Sequence, residues 1–470
     1  LEGILDMSST SPADVVKNLQ RSGRNETRPS GTTVLPEQQS QDPVVVAARA
    51  GDHLAIHKFL LDVFHGPTSA EFTAQLENPF YEPSDRLIVK HRKQIIGHVR
   101  IQQQQMHFGA NLLPISNLCE LATAPEYRQR AIGSALLQAA EQQMIDEGSL
   151  LGILETNLPD FYRQHGWTVS SRYSFSTADA RNILSSLGAQ EVQQQPTAIS
   201  QPSEEESKQY NIRLWRHVEQ EALIHLYQEN TRNSYGPLQR TEDYWQWLFS
   251  RRGFERIYVA IDGPDKLPLS GAYKSIIGYA AIRGGRILEI MTAQGHEKAA
   301  FQLVNRACAD IIESKDGPIS IDAFPGNPLH EFLQSAGGKH HHAESRNGVV
   351  TMIKIFDPLK LLENLREEIN RRAQVAAIDR PFELGLEIRG KWHQILFTPR
   401  SVKLVKGKSG RSHLRCSETV LTQLLLGHLH VQQAVDQGLL QLSTRIAFET
   451  VQTIFPQLSL WRPPLDDSPA

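Results

Sequence analysis

One stretch constrains the fold more than any other part of the chain: Leu121-Ala122-Thr123-Ala124-Pro125-Glu126-Tyr127-Arg128-Gln129-Arg130-Ala131-Ile132-Gly133-Ser134-Ala135-Leu136-Leu137. A strand over Leu112 to Leu121 breaks at Pro125 into a tight turn. The turn opens a helix over Arg130 to Glu147, with Ile132, Leu136, Ala140 and Met144 spaced by four on one face and Gly148 as its C-cap. Leu150 to Leu154 reads as a buried strand, which completes a strand–helix–strand crossover. The turn residues are basic and small. Exposed N–H groups at a helix start, helped by the macrodipole, make a ready cradle for a pyrophosphate, and Arg128 and Arg130 add formal charge beside it.

The flanking pattern gives the order β-α-β-β-β-α-β-α-β. Val44-Val45-Val46-Ala47-Ala48 reads as a buried strand, and Asp52 as the cap of a helix whose apolar face is Ile56, Leu60 and Val63. Leu87 to Val89 and Ile95 to Ile101 pair as a hairpin about Arg92-Lys93. After the crossover comes Glu155-Thr156-Asn157-Leu158-Pro159-Asp160-Phe161-Tyr162-Arg163-Gln164-His165-Gly166-Trp167, a short helix from Pro159 to His165 leading into a strand over Trp167 to Tyr173.

Together the two stretches resemble the GNAT superfamily of acyl-CoA N-acyltransferases. The family pattern is Arg/Gln-x-x-Gly-x-Gly/Ala after a strand, followed by a second strand, Asn, and a Phe-Tyr-x-x-x-Gly-Phe/Trp turn. Arg128 matches the first position and Gly133 the last, while Ala131 stands where Gly is usual and its methyl could crowd the pyrophosphate. The resemblance implies two central strands splayed at a bulge, with the thioester in the gap. It implies that Leu121, Ala122 and Thr123 offer backbone groups to the pantetheine and that the Leu121 N–H polarises the thioester carbonyl. Arg128, Gln129, Arg130, Ala131, Ile132, Gly133 and Ser134 would hold the pyrophosphate, Asn157 the pantetheine arm, and Tyr162 would protonate the departing thiolate. Read without the motif, Tyr162 is a core aromatic, and Arg128 and Arg130 are surface charges. Glu120 and Glu155 are candidate bases that could equally be a solvated strand residue or, for Glu120, a partner of Arg100.

The chain has 470 residues, enough for two or three domains. The expected division is a disordered N-terminal arm (1–42), a catalytic GNAT domain (43–188), a linker (189–210), a degenerate GNAT-like domain (211–355) and a C-terminal domain (356–470). In the second unit a helix (Glu219 to Asn230), strands at Ile257 to Val259, Ile276 to Ile282 and Ile287 to Met291, a helix (His296 to Ser314) and a strand at Ile319 to Ile321 repeat the first loosely. Its turn, Ala293-Gln294-Gly295-His296, lacks the basic residues, so loss of cofactor binding is expected. Tyr244, Trp245 and Trp247 read as a helix face packing into that unit's core, and His340-His341-His342 as an exposed turn without metal-site spacing. The third unit reads as a helix over Leu361 to Ala377, a strand meander, closing helices over Val420 to Leu426 and Ala447 to Ile454, and an extended Trp461 to Leu465.

This α/β arrangement of tandem GNAT folds, with mixed central sheets flanked by helices and followed by Leu421 to Gly427 in an α+β domain, resembles the enhanced-intracellular-survival family. Its third domain is similar to sterol carrier protein folds. The resemblance implies an amine acceptor (an aminoglycoside or a lysine side chain in some members), hexamers, and a C-terminal carboxylate acting as base. In this chain that carboxylate belongs to Ala470, with Asp466 or Asp467 as possible substitutes. The expected co-substrate is acetyl-CoA, with direct attack by the amine and no metal. The rivals are a protein-lysine acetyltransferase and a non-catalytic acyl-CoA or lipid sensor.

A formal net charge of −3 gives no reason to expect nucleic acid or an anionic membrane. The sequence has no run of about 18 apolar residues and no export-type h-region. Cys119, Cys308 and Cys416 are too sparse for a disulfide framework and read as reduced thiols, with the cytoplasm as the expected location. Leu1 is not methionine, so Met7 or an unusual codon is the expected start.

Overall fold

The computed structural model describes residues 43–170, 173–193, 209–264, 275–314 and 317–467, with side chains left out over 188–193. The arm over 1–42, most of the expected linker and Ala470 lie outside the described residues.

The first unit runs β1 (Val45–Ala47), α1 (His53–Phe64), α2 (Ser69–Leu76), β2 (Arg86–His91), β3 (Gln94–Phe108), β4 (Asn111–Thr123), α3 (Ile132–Asp146), β5 (Leu151–Thr156), α4 (Pro159–Arg163), β6 (Thr168–Val169), β7 (Tyr173–Ala178) and α5 (Ala180–Gln193). Strands β1 to β5 lie in sequence order, antiparallel except for the parallel pair β4–β5. Helix α3 covers the sheet with Ile132, Leu136, Leu137, Ala140 and Met144 buried, the face its four-residue spacing specifies. Strand β1 is an edge strand paired with β2 alone, so Val44 and Val46 are exposed, not buried as their run of valines suggests. Asp52 makes no side-chain cap for α1; its carboxylate instead accepts from Lys90 Nζ at 2.7 Å.

The second unit runs β8 (Asn211–Leu214), α6 (Gln220–Thr231), β9 (Tyr235–Leu238), α7 (Glu242–Ser250), β10 (Arg256–Ile261), β11 (Ile276–Arg283), β12 (Arg286–Thr292), α8 (Lys298–Ser314), β13 (Ile319–Asp322), α9 (Pro328–Ser335), β14 (Lys339–Ala343), β15 (Ser345–Arg346) and β16 (Val349–Ile355). Its sheet repeats the first closely. Gly97 faces Thr123 across β3–β4, and Gly278 faces Thr292 across β11–β12. The next amide donates back in both: Ala124 N–H to Ile96 O at 2.9 Å, Ala293 N–H to Ile277 O at 2.8 Å. These matches support a diverged duplication.

The two sheets exchange strands. Strand β7 leaves the first unit to pair with β13 and β14 of the second, and β16 returns to pair with β5 and β6 of the first. Strand β9 also joins the first sheet, against β3. His340 to His342 are therefore not an exposed turn: they form β14 in register with β7, and the His340 ring stacks on His330 at 4.0 Å. Helix α7 buries Tyr244, Trp245 and Trp247 as expected, although Trp247 also reaches the first unit through an Nε1–H bond to Ala74 O.

The third unit runs α10 (Pro358–Asn364), α11 (Arg366–Val375), β17 (Phe382–Ile388), β18 (Lys391–Phe397), β19 (Val402–Lys406), β20 (His413–Cys416), α12 (Glu418–Leu425), α13 (Val431–Asp436), β21 (Leu440–Leu442) and α14 (Arg445–Ile454). Its sheet, in the order β19-β18-β17-β20-β21, shares one apolar core with Met106, Phe108, Leu113 and Ile115 of the first sheet. The chain then runs back across the molecule, and Pro464–Asp467 closes as a short 3-10 turn where an extended end was expected. No helix among the described residues is long and apolar enough to cross a membrane.

Candidate active site

The site begins with a defect in the β3–β4 ladder. Pairing passes from His98↔Ala122 to Arg100↔Cys119, so Glu120 and Leu121 together face Val99. Glu120 takes the left-handed conformation, φ +57°, at this bulge. A buried cluster holds it there. Arg86 is fully buried and donates Nη1 to Glu120 Oε2 at 2.7 Å and Nη2 to Gln75 Oε1 at 2.6 Å. Gln75 in turn donates to Glu120 Oε1 at 2.8 Å. Burial pushes the His98 imidazole down to about 4, so it is neutral; with Arg86 on Nε2, its Nδ1–H donates to the Glu120 carbonyl at 3.1 Å.

Past the bulge the parallel pair opens. Strands β4 and β5 are paired from Ile115↔Leu151 to Leu118↔Leu154 and no further, although both continue, to Thr123 and Thr156. Because Ala124 N–H points to β3, the two-residue alternation turns the Leu121 and Thr123 amides toward the opening. The turn that follows carries two more left-handed residues, Gln129 (φ +62°) and Ala131 (φ +57°). Alternating backbone of this kind forms an anion-binding concavity, and the first amides of α3 have no intrahelical acceptor. Ala131 thus adopts the backbone that a glycine would provide there. Arg128, Gln129, Arg130 and Ala131 are exposed, and Ile132 is buried beneath them. A Cβ added at Gly133 would stand 3.6 Å from the Phe161 ring and 3.7 Å from Thr123 Oγ1, so the turn, the open strand and α4 converge on one place.

Tyr162 is buried on α4 between the Phe161 and Trp167 rings. Its hydroxyl has no hydrogen-bond partner among the described residues, and burial, with the Cys119 thiol nearby, raises it to about 12. It is a phenol that stays protonated and has a proton free to give. Asn157 is exposed between β5 and α4.

Glu120 is not available as a base. Arg100 and Arg86 overcome its burial and hold its carboxyl down at about 2, and both oxygens are occupied. Asp466 is equally committed, receiving Arg240 Nε at 2.9 Å and Nη2 at 3.0 Å in the interior. Asp467 differs. It lines a cleft of about 410 Å³ with Glu155, Tyr173, Asp322, Arg346 and Arg462. Its side chain remains 42% exposed and pairs with Arg462 at 3.1 Å. The surrounding protein, together with Glu155 and Asp466, pushes its carboxyl up to about 6 despite that pairing. Its charge also reaches the Cys119 thiol, which in turn influences Tyr162. Reading the sequence left Asp467 as one of three alternatives; its approach to Glu155 depends on folding across 312 residues and carries no local signal. No group of His, Cys, Asp and Glu among the described residues is arranged to hold a metal ion.

Residues 45–170 match the acetyltransferase (GNAT) domain family. Solved structures share the fold along almost the whole chain. A GCN5-related N-acetyltransferase from Kribbella flavida superposes with a TM-score of 0.64 at 14% identity, covering 90% of this chain and 97% of that one. Another from Anabaena variabilis gives 0.64 at 16% identity, with coverages of 89% and 98%. Eis1 from Mycobacterium abscessus gives 0.58 at 12% identity, with coverages of 89% and 99%. No curated protein matches. The bulged and opened strand pair with its basic turn thus lies within the matched residues, and the first unit of this chain is a GNAT acetyltransferase domain.

Proposed function

We propose that the chain moves an acetyl group from acetyl-CoA to a primary amine on a small molecule, such as an aminoglycoside or polyamine, by direct attack. The observation that carries this reading is the β4 bulge, which turns the Leu121 and Thr123 amides into the opening beside Tyr162. Amide donors fixed in that gap suit a thioester carbonyl on which negative charge develops. The turn from Arg128 to Ser134 supplies N–H groups and positive charge for the pyrophosphate, and Asn157 adjoins the path between them.

An ammonium has no lone pair, so the acceptor must lose a proton before attack. Asp467 is the carboxylate suited to take it, because a base titrating near 6 is ionised at neutral pH and still basic enough to share a proton. Tyr162 supplies the proton that the departing thiolate needs. The acidic groups of the 410 Å³ cleft, Glu155 and Asp467, favour a cationic acceptor. A third unit of the sterol-carrier type and a cytoplasmic homo-oligomer, hexameric by resemblance, complete the reading; sedimentation of the purified chain checks the assembly.

The test is acetyl transfer by the full chain to aminoglycosides, polyamines and lysine peptides, followed by thiol release. Turnover on small amines is expected, and Tyr162→Phe should lower kcat about 100-fold, the usual contribution of a positioned acid. Turnover confined to lysine peptides would move the acceptor to protein. Binding of acetyl-CoA without turnover on any amine would overturn the catalytic reading.

A further inference from the structure

The second unit keeps the architecture of an acyl-CoA groove and reverses its charge. Strands β12 and β13 pair only at Arg286↔Ser320 and Ile287↔Ile321 before parting, as β4 and β5 part in the first unit. Two side chains now occupy the backbone positions corresponding to the cofactor-facing ones. Asn230 Nδ2 donates to Thr292 O at 2.9 Å, on the strand edge corresponding to Thr123. Glu297 Oε1 accepts the Gly295 N–H at 3.1 Å, which puts a carboxylate in the turn that elsewhere cradles phosphate. A cavity of about 600 Å³ nevertheless remains between the parted strands, α8 and the start of α9.

Its walls are largely apolar, including Met291, Phe301, Phe324, Leu329 and Trp461. Its charged lining consists of Glu229, Glu297 and Asp322, with no lysine or arginine among the described residues. Asp322 is neutralised by Arg286 at 2.5 Å and Arg346 at 2.5 Å. Glu229 and Glu297 are exposed and have no ion-pair partner among the described residues. An anionic ligand would meet two uncompensated carboxylates, whereas an organic cation would meet two partners over an apolar floor, with aromatic faces that attract such ions. We propose that this cavity is a second ligand site, taking an amphipathic organic cation (an ammonium group on an apolar body) and not acyl-CoA.

The test is calorimetric titration of the full chain with octyltrimethylammonium, octanol and octanoate. The quaternary probe has no N–H, so acetylation in the first unit cannot contribute. Saturable binding of one equivalent is expected, at least tenfold tighter than octanoate. It should weaken at least tenfold in the Glu229→Gln/Glu297→Gln double variant and in Ala300→Trp, which fills the cavity, and be unchanged in Asp467→Asn. Octanoate binding as well as the cation, or a loss caused by Asp467→Asn instead, would overturn the proposal, as would the absence of saturable binding. Acetyl-CoA affinity measured on the same samples reports separately on the first unit.

Discussion

Asp467 and Glu120 both lie beside guanidinium groups, yet their surroundings move them in opposite directions. Glu120 faces two arginines and is held at about 2, whereas at Asp467 desolvation, reinforced by Glu155 and Asp466, outweighs Arg462 and raises the carboxyl to about 6. The first is a structural charge, and the second is the carboxylate proposed as the base. For Asp467 the active form is the deprotonated one, so kcat/KM should increase as pH rises through about 6. Asp467→Asn should abolish that limb and lower the rate about 100-fold, while Glu120→Gln should keep it. For Glu120 the folded state binds its proton more weakly than the unfolded chain, so its stabilisation is present above 4.5 and is lost as pH falls toward 2. Glu120→Ala strands the buried Arg86, and a loss of about 3 kcal/mol in denaturant unfolding is expected.

At the scale of elements, the position of the turn proposed to hold the pyrophosphate is set by how closely α3 lies on β3. A Cβ at Gly97 would come within 2.8 Å of Ile132 Cγ2 and 2.9 Å of Leu136 Cδ1, the first buried turn of the helix. Gly97→Val should therefore push the start of α3 outward, weaken acetyl-CoA binding several-fold in titration, and destabilise the chain by about 2 kcal/mol. This part of the molecule was legible in the sequence because its information is local. Pro125, the basic turn, the four-residue spacing of Ile132 to Met144 and the Phe161-Tyr162 turn all lie within about one crossover unit. Strands β7, β14 and β16 were not legible in the same way. The pairing of β7 with β13 and β14, and of β16 with β5 and β6, joins residues 141 or more positions apart, as at Ala178 with Ile319, and nothing in a histidine run specifies which sheet will claim it. Charge pairing at the bulge was visible only as the single candidate Arg100; Arg86 and Gln75 arrive from other elements.

At the scale of the whole molecule, the base proposed at Asp467 depends on a fastening in the second unit. Arg240 is fully buried and binds two carboxylates at once, Glu289 through both Nη atoms (3.0 and 2.6 Å) and Asp466 through Nε and Nη2 (2.9 and 3.0 Å). Arg251 adds a bond to the Asp466 carbonyl at 2.9 Å, and Leu465 is buried beside it. The last described turn is thereby fixed, and Asp467 follows into the cleft that it lines with Glu155. Arg240→Met leaves two buried carboxylates without their cation, a cost of about 4 kcal/mol, and the cheapest relief is for the tail to detach and hydrate Asp466. The expected variant binds acetyl-CoA within about twofold of the parent, because the turn at Arg128 to Ser134 is untouched, but loses acceptor turnover together with the limb near pH 6. Adding Asp466→Asn should restore part of that turnover, since it removes one of the two stranded charges. If Arg240→Met keeps full turnover and the same pH profile, the tail does not need this fastening, and Asp467 is not the base.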